Sequence, residues 1–181
     1  MPTVCFVSGS RDSRTGETGI EIRPATVDDL STLLDDPAAF EATTGRRVEP
    51  GWSCFEGVLE FSLKAITTDG VAPEWSTYLF FDLADGALIG IGGFKGPPDR
   101  GVVEIGYEIA PSRRGRGQAT AAARAMVERA SAAGCTQVVA HTLAEPNPST
   151  SVLTKLGFVQ TVEILDPDDG PIWRWELALD A

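Results

Sequence analysis

One segment limits what this chain can become more than any other: Tyr107-Glu108-Ile109-Ala110-Pro111-Ser112-Arg113-Arg114-Gly115-Arg116-Gly117-Gln118-Ala119-Thr120. A strand-like stretch, Val102 to Ala110, stops at a proline. A turn rich in arginine and glycine follows, and an alanine-rich stretch opens directly after it. Strand, turn and helix in that order gather free backbone N–H groups at a helix N-terminus, where the macrodipole adds partial positive charge. Such a turn suits an anion, and above all a diphosphate. Gly115 and Gly117 let the backbone come close to it, because neither carries a Cβ.

The rest of the chain fits around that unit. Ile20 to Arg23 alternates into Pro24 as a first strand, and Thr26 reads as the N-cap of a helix running to about Phe40 with Leu30, Leu33 and Leu34 inward. Arg46 to Pro50 reads as a loop. Apolar spacing over Cys54 to Ile66 predicts a second helix, and Pro73 precedes a strand at Ser76 to Leu83. Asp85-Gly86 is a hairpin signal leading into Ala87 to Phe94, whose Gly90, Gly92 and Gly93 mark a bulge or a close approach. A helix is predicted from about Gly117 to Ala133, with Gly134 as its stop, and a strand over Thr136 to Leu143. Asn147-Pro148 starts a short helix ending at Gly157, and Phe158 to Leu165 and Ile172 to Leu179 form a closing hairpin. The βαβ crossover forces one parallel pair into an otherwise antiparallel sheet. The expected fold is a single α/β (or α+β) domain over residues 19–181, with a mixed, mostly antiparallel sheet and helices on both faces. Residues 1–18 read as a tail or an added edge strand.

Composition removes several classes of function. The 181 residues carry a formal charge of -11, so no basic face offers itself to nucleic acid. That acidity is compatible with a cationic substrate, though simple solubility is the better reading of it. No apolar run is long enough for a membrane span, and no signal peptide is evident. Cys5, Cys54 and Cys135 make no paired motif, which fits a reducing, cytoplasmic setting. A single histidine, His141, rules out a multi-histidine metal site, and no metal is expected.

Arg114-Gly115-Arg116-Gly117-Gln118-Ala119 resembles the R/Q-x-x-G-x-G/A acetyl-CoA signature of the GNAT superfamily of N-acetyltransferases. Glu145-Pro146-Asn147-Pro148-Ser149-Thr150-Ser151-Val152-Leu153-Thr154-Lys155-Leu156-Gly157-Phe158 resembles that family's C-terminal helix, in particular its ribosomal-protein N-terminal acetyltransferase branch. The resemblance covers about residues 19–179 and implies acetyl-CoA as co-substrate. It implies a bulged, splayed strand before the turn, with main-chain contacts to pantetheine from Ile109 and Ala110. The pyrophosphate cradle would run from Arg114 through Gly115, Arg116, Gly117, Gln118 and Ala119 to Thr120, with Arg113 and Arg116 reaching the outer phosphates.

Acyl transfer to nitrogen needs an amine without its extra proton, and a lysine-type amine has a pKa of about 10.4. The thioester oxygen needs a donor, expected from a backbone N–H near Ile109. Glu104 and Glu108 share one strand face unless a bulge intervenes, and Glu104 is preferred as base. Each is also readable as a half-exposed strand residue or an ion-pair partner. Many family members place an acidic tyrosine four residues before the Gly-Phe pair. Here that position is Leu153, so Ser149 or Thr150 is left to orient a water or contact the sulfur. Asn147 is open to the same use, though an N-cap is its simpler role. His141 reads as a packed, satisfied residue, and Cys135 as buried. Trp52, Trp75, Trp173 and Trp175 offer walls for a cleft, but Trp173 and Trp175 share a face, which favours core or dimer packing. The expectation is an N-acetyltransferase acting on a peptide N-terminus, a lysine or a small-molecule amine, as a monomer or homodimer. The alternative is a non-catalytic acyl-CoA-binding or regulatory module of the same fold.

Overall fold

The computed structural model describes residues 19–55 and 57–180; the expected tail or edge strand at 1–18 lies outside them. Seven strands form one sheet in the order β1-β2-β3-β4-β5-β7-β6. They are β1 (Ile20–Pro24), β2 (Thr77–Asp82), β3 (Leu88–Phe94), β4 (Val102–Ile109), β5 (Gln137–Leu143), β6 (Val159–Asp166) and β7 (Gly170–Ala178). Every neighbouring pair is antiparallel except β4 with β5. That exception is the crossover pair, joined by helix α4 (Gln118–Ala132).

The sheet is buried on both faces at its centre because β2 is apolar on both. Tyr78 and Phe80 enter a cluster with Ile105, Ile109, Met126 and Leu153, beneath α4 and α5 (Pro148–Lys155). Leu79 and Phe81 enter a second cluster with Leu30, Leu33, Phe40 and Ile91. Burying a side chain such as Phe80 stabilises the fold by roughly 1.5–3 kcal/mol. The second cluster lies beneath α1 (Val27–Asp35), α2 (Pro37–Thr44) and α3 (Val58–Thr67).

Four local expectations need correction. The helix from Thr26 to Phe40 is two helices. Pro37 disfavours helical backbone at Asp36, which is extended (φ -161°, ψ 106°) and caps the Ala38 N–H at 2.9 Å. Leu34, expected inward, is exposed, while Leu30 and Leu33 are buried. Helix α3 begins at Val58 rather than Cys54, after Gly57 in the left-handed region (φ 71°). The bulge lies not in β4 but in β3: Phe80 pairs Gly90 and Phe81 pairs Leu88, so Ile89 is the extra residue. Gly90 adjoins that bulge, and Gly90 and Gly92 also allow the close approach expected of them, since a Cβ there would meet the Glu108 and Gly106 carbonyls at 2.3 and 2.5 Å.

Candidate active site

The turn after β4 opens on main-chain donors. Arg114 N–H reaches the Pro111 carbonyl at 3.4 Å and Ala121 N–H reaches Gly117 at 3.0 Å. Between them, the six N–H groups of Gly115, Arg116, Gly117, Gln118, Ala119 and Thr120 have no acceptor among the described residues. Gly117 is the N-cap of the 15-residue α4 and brings no capping side chain. Both glycines have left-handed backbone, φ 75° at Gly115 and 80° at Gly117, and a Cβ at either would point into open space. Glycine is therefore needed here for its backbone conformation, not for close packing. An uncapped N-terminus with successive unengaged amides is a ready site for a multiply charged anion.

Two arginines of the turn have structural partners. Arg113 donates to Glu49 at 2.9 and 3.1 Å, to Asp82 at 3.1 Å and to Asp85 at 2.8 Å. Its side chain is largely buried, so it holds the turn to the β2–β3 hairpin and does not reach the outer phosphates as expected. Ser112 adds a bond to Glu49 at 2.7 Å, and Gln118 Nε2 donates to Asp82 at 2.7 Å. Arg114 Nε donates to the Ile109 carbonyl at 2.8 Å. Arg116 is exposed beside the free amides.

Next to the turn the sheet parts. The parallel pairing of β4 with β5 covers Val102–Gln137, Val103–Val138 and Glu104–Val139 and goes no further. On the other edge β4 stays paired with β3 to Ile109. Lys95 N–H bonds Glu104 O and Ala110 N–H bonds Ile89 O, so by antiparallel alternation the main chains of Tyr107 and Ile109 face the parting. Ala110, expected to contact pantetheine, has its N–H engaged with Ile89 and its carbonyl with Arg113 N–H. The free edge is therefore Tyr107 and the Ile109 N–H.

At the apex of the parting stands a charged group. His141 Nδ1 lies 3.0 Å from Glu104 Oε1, and Lys95 Nζ pairs with the same carboxylate oxygen. Burial would raise the Glu104 carboxyl, but the bonds from Lys95 and His141 outweigh it and hold the group below the usual carboxylate range. The Nδ1–H tautomer that donates to this anion leaves Nε2 as a proton acceptor. His141 is thus satisfied, as expected, by a partner on the neighbouring strand, and it is only partly buried. Glu108 shares the face of Glu104, as alternation requires without a bulge in β4. Its carboxylate accepts the N–H groups of Cys54 and Phe55 at 2.9 and 3.2 Å, closing the loop before α3.

Helix α5 presents its first turn to the same region. Asn147 and Thr150 form a reciprocal capping box at 3.0 and 3.1 Å, so both are occupied with the helix start. Ser149 stands beside the Tyr107 phenol, with no hydrogen bond of acceptable geometry from its side chain among the described residues. Leu153, one turn on, is buried. Tyr107 brings its hydroxyl beside Ser149, buried and without a hydrogen-bond partner among the described residues. Trp173 and Trp175 meet edge to face at 6.4 Å beneath α5, a packing role. Cys135 is buried, which pushes its thiol up. Among the described residues no cluster of His, Cys, Asp or Glu is placed to hold a metal, and no helix is long and apolar enough to cross a membrane.

This is the fold of the acyl-CoA N-acyltransferases, with the parted strands and amide-lined turn in their expected places. The chain belongs to the GNAT acetyltransferase family: residues 20–159 match the model described as "Acetyltransferase (GNAT) domain". Among solved structures it is similar to the ribosomal-protein-S5-alanine acetyltransferase of Vibrio fischeri, with TM-score 0.66, 16% identity, and coverage of 93% of this chain and 98% of that one. A dodecameric spermidine N-acetyltransferase of Vibrio cholerae gives TM-score 0.62 at 16% identity, covering 88% and 93% of the two chains. A GNAT acetyltransferase of Bacillus anthracis gives 0.60 at 16% identity, covering 91% and 96%. At such identities the likeness speaks for the fold alone. No curated protein matches the chain.

Proposed function

We propose that the protein moves the acetyl group of acetyl-CoA directly to a primary amine: a peptide N-terminus, a lysine or a small-molecule amine. One observation carries this reading. Six unengaged amides at the start of α4 lie next to a strand parting whose apex holds the Glu104–His141 pair. The residues present fit acetyl-CoA. The N–H groups of Gly115 to Thr120, with Arg116 beside them, take the pyrophosphate, and the main chains of Tyr107 and Ile109 run along pantetheine. Arg114 shapes this edge through the Ile109 carbonyl. When bound, acetyl-CoA supplies an acyl carbon activated by its thioester.

The chain's own part is to position the amine and take its proton. Glu104 holds His141 through Nδ1 and leaves Nε2 as the acceptor, and the pair accepts the ammonium proton as nitrogen becomes nucleophilic. Glu108 shapes the acceptor side by fixing Cys54 and Phe55, whose ring is exposed there. A cytoplasmic setting belongs to the proposal, supported by the exposed free thiol of Cys54. A homodimer belongs to it too, supported by the exposed Val159, Val162, Ile164 and Leu165 of edge strand β6.

The test is release of free thiol from acetyl-CoA with a panel of amines. Turnover with at least one amine is expected. Tight CoA binding with no turnover on any amine would favour the non-catalytic module, whose one supporting observation is Leu153 in place of a hydroxyl-bearing residue.

A further inference from the structure

Lysine is scarce in this chain, and its placement is selective. Of the 15 lysines and arginines only three are lysine, at positions 64, 95 and 155. Among the ion pairs of the described residues, five carboxylates whose side chains are less than a third exposed take arginine: Glu21, Asp29, Glu49, Asp82 and Glu176. Glu104, equally sheltered, alone takes a lysine, Lys95. Arginine is the better partner for a sheltered carboxylate, since its planar fork matches the two oxygens, but it keeps its proton. A lysine can lose one and become a nucleophile. Ion pairing by itself therefore does not account for the lysine at this one position.

Its surroundings do. Lys95 follows β3 directly, and its N–H bonds the Glu104 carbonyl at 3.0 Å, continuing the register of Phe94 with Ile105. The backbone of Lys95 is thereby fixed opposite Glu104. Its side chain brings Nζ to Glu104 Oε1, the same oxygen that His141 Nδ1 meets at 3.0 Å. The Lys95 side chain is 65% exposed, so the amine reaches the apex of the parting from solvent and can leave the carboxylate without disturbing the core. An ammonium of this chain thus already occupies the place where an acceptor's ammonium must give up its proton. The other two lysines do not: Lys64 pairs with Asp69 beyond the end of α3, and Lys155 lies in the last turn of α5.

We propose that Lys95 is a self-acetylation site: with acetyl-CoA bound and no acceptor in place, the enzyme transfers the acetyl group to its own Lys95 Nζ. This rests on the acetyl-CoA reading above and goes beyond it. The Lys95 ammonium gives one proton to the Glu104–His141 pair, and the freed lone pair attacks the thioester carbon. The C–N bond forms and the C–S bond breaks with its electron pair leaving on sulfur. A second proton, lost from nitrogen as the amide forms, balances the thiolate as the free thiol of CoA. No further co-reactant is needed. The product is a neutral amide, so the cation and its ion pair are removed from Glu104, which keeps His141 alone.

The test holds the wild-type chain with acetyl-CoA carrying a ¹³C-labelled acetyl group, without any amine, and follows peptide masses over time. Label is expected on Lys95 and not on Lys64 or Lys155. Its first-order rate should not depend on protein concentration, as transfer within one chain requires. Lys95→Arg keeps a cation at Glu104 and should abolish the label at that peptide. Glu104→Gln should slow labelling of Lys95 on the order of 10²-fold, whereas uncatalysed acylation of an exposed amine has no need of Glu104. No label on Lys95, a rate that rises with protein concentration, or equal label on all three lysines that Glu104→Gln leaves unchanged would each overturn the inference. Turnover of an added amine with Lys95 unlabelled sinks self-acetylation and leaves the functional reading standing. Label on Lys95 with no turnover of any added amine upholds the inference while the acceptor reading falls.

Discussion

Glu104 is placed to do its work through His141. A carboxylate held below the usual range by Lys95 and His141 is a weak proton acceptor, but a strong partner for an imidazole N–H. Glu104→Gln should lower kcat by about 10²-fold or more, the usual scale for losing a general base, and His141→Asn should do the same. Because the two act as one unit, the double variant should be little worse than either single one, which steady-state rates will show. Glu104→Gln with unchanged kcat would remove this pair from the mechanism. Glu108→Gln should chiefly disturb acceptor KM, since its carboxylate secures the Cys54 and Phe55 amides. Glu104 was legible from strand alternation. His141 was weighed mainly as a packed residue, because its partner is 37 positions away and the β4–β5 register cannot be read along one strand.

The turn between β4 and α4 is a built element rather than a loose loop. Its inner side is fixed by Arg113, which gathers the carboxylates of Glu49, Asp82 and Asp85. Arg113→Met leaves those charges without their main cation and should destabilise the fold by about 3–5 kcal/mol in urea unfolding. Lysine should restore only part of this, since it lacks the planar fork. The cluster also sets an acid limit. The Ser112 hydroxyl and Arg113 outweigh burial and hold Glu49 below the usual carboxylate range, while Arg113 leads the same shift at Asp85. Their stabilisation is complete above a pH of about 4–5 and is lost as pH falls through the lowered values. Arg113→Met should therefore flatten the acid limb of stability against pH. On the outer side, Gly115→Ala and Gly117→Ala put a Cβ on left-handed backbone, costing roughly 1–2 kcal/mol each. Both should weaken CoA binding by calorimetry while leaving the rest of the sheet intact.

For the molecule as a whole, element order was legible because each segment carries its own punctuation: Pro24, Pro73, Asp85-Gly86, Gly134 and Asn147-Pro148 all fall at element ends. The fold class followed from the single crossover. Features that depend on contacts across the chain were not legible. The bulge at Ile89 arises between β2 and β3, where the apolar residues 88 and 91 must face the same cluster although an odd number of positions separates them. The commitment of Arg113 to three carboxylates and the isolation of the Tyr107 hydroxyl likewise arise only when distant elements meet. The central claim is electrostatic: the amides of Gly115 to Thr120, engaged by nothing among the described residues, bind the coenzyme's diphosphate. Titration of CoA into the ¹⁵N-labelled protein tests it most directly. The account predicts that these six amide resonances move together and saturably, with those of Tyr107 and Ile109 following. Saturable binding that leaves the Gly115–Thr120 amides unmoved, or no binding at all, would contradict it.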